Sequence, residues 1–138
     1  MKVVLDTNVV LDVLASREPF YQHSSQCLML VASGNIQGAI TANSVTDIAY
    51  LLRKHLDPEN VKPTLARLLE VVDVVSVDQK CCFEAIESAI PDFEDALLDA
   101  CAKRWGSDFV ITRDVLGFEQ SSVAVLAPRA FLEHIDAP

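Results

Sequence analysis

Short apolar runs alternate along this chain with longer stretches in which apolar side chains recur every third or fourth position. Lys2–Asp6 is a short apolar run closing on Asp6-Thr7-Asn8, which reads as a strand running into a helix cap. Val9–Leu14 continues as a short helix, and Ser16-Arg17-Glu18-Pro19 breaks it. Phe20–Ala32 carries a helical stripe of Cys27, Leu28, Leu30 and Val31, closed by Gly34. Ala39-Ile40-Thr41 predicts a buried strand. Asn43 or Ser44 is placed to cap a helix bearing Val45, Ile48, Ala49, Leu51 and Leu52 and ending near His55. Asp57-Pro58-Glu59 opens a further helix through Glu70, since proline suits a first helical turn.

The β-branched run Val71–Val77 predicts a strand, and Asp78 caps a helix reaching about Ala89. Pro91-Asp92 opens the longest amphipathic helix, which ends at Gly106. Phe109–Thr112 reads as a strand, Val115–Ser122 as loop, Val123–Leu126 as a last strand, and Pro128 opens a terminal helix. Strands alternating with helices predict an α/β fold around a parallel sheet.

With 138 residues, 51% of them hydrophobic, the chain is expected to form a single globular domain over 1–138. No apolar stretch is long enough for a membrane span, and no signal peptide is visible, so a cytoplasmic protein is expected. Cys27, Cys81, Cys82 and Cys101 lack zinc-ligand spacing and read as small buried hydrophobes. His23, His55 and His134 are scattered, which disfavours a histidine metal site or a Ser-His-Asp triad. The net charge of −9 is the wrong sign for a protein that grips phosphates with Lys and Arg. Setting four carboxylates aside as metal ligands would leave −5, which two divalent ions would largely offset.

The chemistry lies in four acids at strand ends or helix starts: Asp6, Asp47, Asp95 and Asp114. An open parallel sheet gathers functional groups at the carboxyl ends of its strands. Carboxylates converging there repel each other unless a cation holds them, and at least one should titrate above its ordinary value without metal. A divalent ion among carboxylates points to phosphate chemistry. Each acid also has a plainer role. Asp6, Thr7 and Asn8 can all cap a helix, leaving Asp6 for metal and Thr7 or Asn8 for the cap or a water. Asp92, Asp95 and Asp99 share one helix face, where acids in the first turn also suit the macrodipole, as does Glu94. Asp99 is a turn further in and is expected to be solvated. Asp114 follows Thr112-Arg113 at a strand end, and Thr112 is placed to hydrogen-bond a ligand or a neighbouring carboxylate. Asp47 lies inside a helix and is the weakest candidate. Among the bases, Arg53-Lys54 and Lys103-Arg104 suit helix C-termini. Arg17 and Arg113, nearest the acids, are the better candidates for phosphate contacts.

These motifs together resemble the PIN-domain family, and within it the VapC-type toxins, over nearly the whole chain. Leu5-Asp6-Thr7-Asn8 looks like the family's first motif, Asp92-Phe93-Glu94-Asp95-Ala96-Leu97 like its central acidic helix start, and Ile111-Thr112-Arg113-Asp114 like its late strand. The family's second acid, usually Glu, falls on Asp47, whose shorter side chain departs from the pattern. The resemblance implies a three-layer α/β/α sandwich with a central, mainly parallel sheet of four to five strands. It also implies an endoribonuclease using Mg²⁺ or Mn²⁺, with Asp6, Asp95, Asp114 and Asp47 as catalytic metal ligands and Asp92 in support. An RNA substrate, an antitoxin protein and a homodimer are the partners it implies.

Two other enzyme classes place acids at strand ends. A haloacid-dehalogenase-like phosphatase needs Asp-x-Asp, and Asn8 stands in the second place. A receiver domain needs a Lys after a late strand, where Ala127-Pro128 stands. A PIN-like binding module without cleavage is the remaining alternative, and the retention of an acid at all four positions favours an enzyme over it.

Overall fold

The computed structural model describes residues 1–137. Strands β1 (Lys2–Leu5), β2 (Gln37–Thr41), β3 (Asp73–Val75), β4 (Phe109–Ile111) and β5 (Ala124–Leu126) form one sheet in the order β3-β2-β1-β4-β5, every neighbour parallel. Between them run α1 (Thr7–Leu14), α2 (Tyr21–Ala32), α3 (Ala42–Leu52), α4 (Pro58–Val71), α5 (Gln79–Glu87) and α6 (Phe93–Trp105), and α7 (Pro128–Asp136) follows β5. The expected α/β/α sandwich and parallel sheet are present, with five strands.

Side chains alternate across a strand, and β1 shows what that does here. Val3 and Leu5 face one core with α1, α2, α3, α4 and α7, which contribute Val9, Cys27, Ile48, Leu68 and Phe131. Val4 faces the other with α5 and α6, which contribute Cys81, Ala85, Leu97 and Cys101. A strand buried on both faces has no polar position to spare, which is why β1 reads as a continuous apolar run.

Several boundaries differ from the sequence reading, four of them instructively. Only Asp73–Val75 of the Val71–Val77 run is strand, because α4 continues through Val71. The Val115–Ser122 loop contains a 3-10 helix over Val115–Phe118. Helix α1 starts at Thr7, capped by Asp6, two residues before the expected start. Helix α3 starts at Ala42 behind Thr41, so Asn43 and Ser44 lie inside its first turn instead of capping it. Asp78 and Asp92 do cap α5 and α6, accepting from Cys81 N and Asp95 N, and Gly106 ends α6 at φ 82°.

The sheet order reverses direction at β1. The chain moves from β1 to β2 and β3 on one side, then crosses to β4 and β5 on the other. That reversal opens a crevice at the carboxyl ends of β1 and β4, the usual place for a ligand in this architecture.

Candidate metal centre at the switch point

Leu5 and Ile111 are register partners, so the next residue of each strand emerges side by side at the crevice. Those residues are Asp6 and Thr112. Thr112, fully buried, donates its Oγ1 hydrogen to Asp6 Oδ2 at 2.7 Å. The same oxygen accepts from the Asp114 backbone N–H at 3.0 Å, so one hydroxyl fixes both acids. Asp6 Oδ1 accepts from Thr7 N at 2.8 Å, the helix-cap bond, and Asn8 Nδ2 stands 3.4 Å from Oδ2. Asp6 therefore caps α1 and faces the crevice at once.

Asp114 Oδ1 caps the 3-10 helix through Gly117 N at 3.2 Å. A methyl group built on Gly117 would lie 2.6 Å from Asp114 Oδ2 and 3.2 Å from Asp95 Oδ2. Gly117 thus marks the point where the carboxylates of Asp114 and Asp95 come together, and a hydrogen there is all the space allows. Asp95 is brought in by the start of α6, where Asp92 Oδ1 takes its backbone N–H at 3.0 Å.

On the opposite wall stands α3. Its first turn joins the site through a chain of hydroxyls: Thr7 Oγ1 donates to Ser44 Oγ at 2.9 Å, and Ser44 shares a 2.9 Å bond with Thr41 at the end of β2. Together these elements enclose an open basin of about 540 Å³. Asp6, Asp47, Asp95 and Asp114 all line it, as do Thr7, Asn8, Asp92 and Arg17. Thr112 lies beneath it. Glu94, Asn43 and Tyr50 also line the basin and were not singled out as site residues in the sequence. Glu94 was legible only as a helix-start acid. Asn43 obeys the same strand-end rule as Asp6 and could have been found by it.

The electrostatics follow from this crowding. Burial first, then the negative charges of Asp6, Asp92, Asp114 and Glu94, push the Asp95 carboxyl up to about 7. Asp6 is raised, mainly by burial, with the Thr112 and Thr7 bonds pulling the other way. Glu94 is raised first of all by the charge of Asp47, which lines the same basin. Upward titration was expected from like-charge repulsion. For Asp6 and Asp95 burial is the larger cause, and only for Glu94 does a neighbouring charge come first.

Two buried side-chain oxygens in the basin, Asn8 Oδ1 and Asn43 Oδ1, have no hydrogen-bond partner. Together with the carboxylates they make a donor set of hard oxygens alone, the chemistry that suits Mg²⁺ or Mn²⁺. Among the described residues no three carboxylate, imidazole or thiolate groups stand close enough to hold one ion directly. An ion here would draw the acids inward or keep part of its water shell, as Mg²⁺ commonly does.

Three expectations change in this setting. Asp99 is not solvated: it is buried and accepts from Ser122 N, Ser122 Oγ at 2.9 Å and Ser121 Oγ, tying α6 to the turn before β5. Arg113 does not face the basin. Its guanidinium runs to the buried Asp12 of α1, with Nε 2.8 Å from Oδ2, and stacks on Phe20. Arg17 lines the basin but pairs with the same Asp12, Nη2 to Oδ1 at 3.0 Å. One buried carboxylate thus holds both guanidiniums, and Arg17 keeps its place on the basin wall.

The PIN-domain family model matches residues 2–116, which span all the acids above. This chain belongs to the PIN-domain family. Ribonuclease VapC1 from Aquifex aeolicus is 22% identical over 137 residues, covering 96% of this chain and 94% of that protein. Among solved structures, VapBC2 from Rickettsia felis bound to a DNA fragment from their promoter superposes with a TM-score of 0.71 at 19% identity, covering 92% of this chain and 98% of that one. VapC20 from Mycobacterium tuberculosis, a sarcin-ricin loop cleaving toxin, does so at 0.67 and 18% identity, covering 88% and 98%. At such identities the structures show a shared PIN fold. Among the described residues no helix is long and apolar enough to cross a membrane.

Proposed function

We propose that this PIN-domain chain is a metal-dependent endoribonuclease that hydrolyses RNA phosphodiester bonds, acting as the toxin of a toxin–antitoxin pair. One observation carries the reading. Asp6, Asp95 and Asp114, distant in sequence, converge at the switch point of the sheet, with Glu94 beside Asp95 at the start of α6 and Asp47 of α3 on the facing wall. The likeness to a protein named ribonuclease VapC1, and in fold to a toxin–antitoxin complex from Klebsiella pneumoniae, supports the substrate and the partner.

Asp6, Asp95 and Asp114, with Glu94 beside Asp95, would supply the oxygens that hold Mg²⁺ or Mn²⁺, and Asp47 would supply the opposite side. When bound, such an ion polarises the phosphate and lowers the pKa of a coordinated water, so no side chain need be the nucleophile. The chain's own work is orientation. Thr112 holds Asp6 and the Asp114 backbone, and Gly117 leaves room for two carboxylates.

Beside Arg17, the substrate is met by α3. Tyr50, an exposed ring on the basin wall one turn beyond Asp47, offers an unpaired base a stacking face. The Lys54 ammonium lies 5.7 Å from the centre of that ring, close enough to meet the adjoining phosphate. An antitoxin would complement the acidic basin with basic side chains. Self-association into a homodimer belongs to the same reading, and the exposed Phe83 and Ile86 of α5 offer an apolar face for it.

The test is cleavage of a mixed RNA pool by the purified chain with Mn²⁺, Mg²⁺ or EDTA, beside Asp6→Asn and Asp95→Asn. Metal-dependent cutting, lost by at least about a thousandfold in both variants, is expected. The second reading is a PIN-fold binding module without cleavage. It is favoured by the spread of the acids, no three of which are close enough to hold an ion directly. Mn²⁺ binding without cutting any RNA in the pool would turn the conclusion to that reading, and a folded chain that binds no Mn²⁺ would end the metal model.

A further inference from the structure

Asp12 is a charged residue with no solvent exposure, set one turn along α1 from Asn8. Five donor contacts surround its carboxylate. Arg113 contributes Nε at 2.8 Å and Nη2 at 3.2 Å, Arg17 contributes Nε at 3.1 Å and Nη2 at 3.0 Å, and Ser24 Oγ adds one at 3.1 Å. Two guanidiniums therefore share one carboxylate, an arrangement with one positive charge to spare.

Both arginines belong to segments that frame the acidic basin. Arg17 lines it and also donates through Nη2 to the Asn8 carbonyl at 3.0 Å. Arg113 stands between Thr112 and Asp114. An unrestrained guanidinium beside clustered carboxylates would pair with them, since its fork matches a carboxylate and the half-buried setting strengthens the attraction. None of the ion pairs among the described residues joins an arginine to Asp6, Asp47, Asp95 or Asp114. Asp12 takes both guanidiniums instead. Arg113 has a second restraint, the Phe20 ring 3.8 Å beneath it, whereas Arg17 has no aromatic partner and is the more exposed of the two, 35% against 27%.

We propose that Asp12 is a positioning residue that holds the guanidiniums of Arg17 and Arg113 off the carboxylates of the acidic basin, so that these stay open to a divalent cation instead of being neutralised from within. Without the Asp12 charge, Arg17 turns into the basin and becomes an internal counter-ion that competes with metal. The inference rests on the cation-binding reading of the basin given above.

Mn²⁺ affinity of the full chain, measured by titration calorimetry, tests it with circular dichroism as the check on folding. Asp12→Asn is expected to weaken Mn²⁺ binding by about tenfold or more, the usual scale for a residue acting behind the ligands. Adding Arg17→Gln to that variant should restore most of the loss, because the competitor is gone, and Asp12→Glu, which keeps the charge, should bind close to wild type. Arg17→Gln alone should change the affinity by less than about threefold. A folded Asp12→Asn variant that binds Mn²⁺ like wild type overturns the proposal, as does a double variant that stays weak. Should Asp12→Asn fail to fold, Arg17→Gln decides: a large tightening of Mn²⁺ would mean that Arg17 already pairs with the basin carboxylates and that Asp12 does not hold it off them. Wild-type protein that binds no Mn²⁺ refutes the metal reading itself, a separate outcome.

Discussion

Thr112 Oγ1 donates to Asp6 Oδ2 at 2.7 Å while accepting from the Asp114 backbone N–H at 3.0 Å. A single buried hydroxyl on β4 thus orders two acids that are far apart in sequence. Thr112→Val keeps the shape and removes both bonds, leaving the Asp114 N–H without its acceptor. The expected cost is about 2 kcal/mol of stability, since one of the lost bonds is to a carboxylate. Mn²⁺ affinity and cleavage should fall by roughly 10- to 100-fold. Thermal melts and metal titration on the same preparation separate the two effects, and an unchanged metal affinity would remove Thr112 from the site.

Asp95, pushed up to about 7 by burial and by the acids around it, makes the site sensitive to pH. A proton and a cation compete for the carboxylate, so Mn²⁺ affinity and cleavage should decline as pH falls below about 7. Stability of the metal-free chain runs the other way. Between the ordinary value of 3.8 and the folded value of about 7, the folded state holds the Asp95 proton more tightly than the unfolded state does. The stabilising contribution is therefore full below the lower value and is lost as pH rises through the upper one. Asp95→Asn should raise the metal-free Tm by about 2–5 °C at pH 8 and by nearly nothing at pH 4. Equal shifts at both pH values would show that Asp95 carries no such strain.

Gly117 is flanked by Asp114 Oδ2 at 2.6 Å and Asp95 Oδ2 at 3.2 Å from the position a Cβ would take. Gly117→Ala must turn the Asp114 side chain away. A short exposed side chain turns cheaply, so the stability change should stay within about 1 kcal/mol. Mn²⁺ affinity should fall by about tenfold, because a ligand oxygen has moved. A large loss of stability with metal binding intact would instead mark Gly117 as a backbone requirement only.

Tyr50 offers a stacking face worth about 1–3 kcal/mol per base. Tyr50→Ala should weaken binding of a single-stranded RNA by roughly 5- to 100-fold and raise KM by a similar factor with little change in kcat. Tyr50→Phe, which keeps the ring, should behave nearly as wild type. Measuring binding in EDTA as well as in Mn²⁺ separates the ring from the metal, and equal affinity of Tyr50→Ala and wild type in both conditions would exclude stacking.

Local sequence settled the elements and the candidate acids. Apolar runs one strand long, capping residues at Asp6, Asp78 and Asp92, and Gly106 past the end of α6 encode their own local structure, because caps and periodicity act within a few residues. The convergence of Asp6 and Asp114 was legible through the rule that parallel strands deliver their ends to one edge, and that of Asp95, at a helix start, through the family resemblance. What folding alone decided is which charges meet. Asp12 lies in an apolar-looking helix with nothing local to mark it, yet it collects Arg17 and Arg113 from two other segments. Asp99 likewise reads as one more surface acid until the Ser121-Ser122 turn closes over it. A buried charge is set by donors that come from elsewhere in the chain, so its partner, and with it the character of the basin, is a property of the packed molecule.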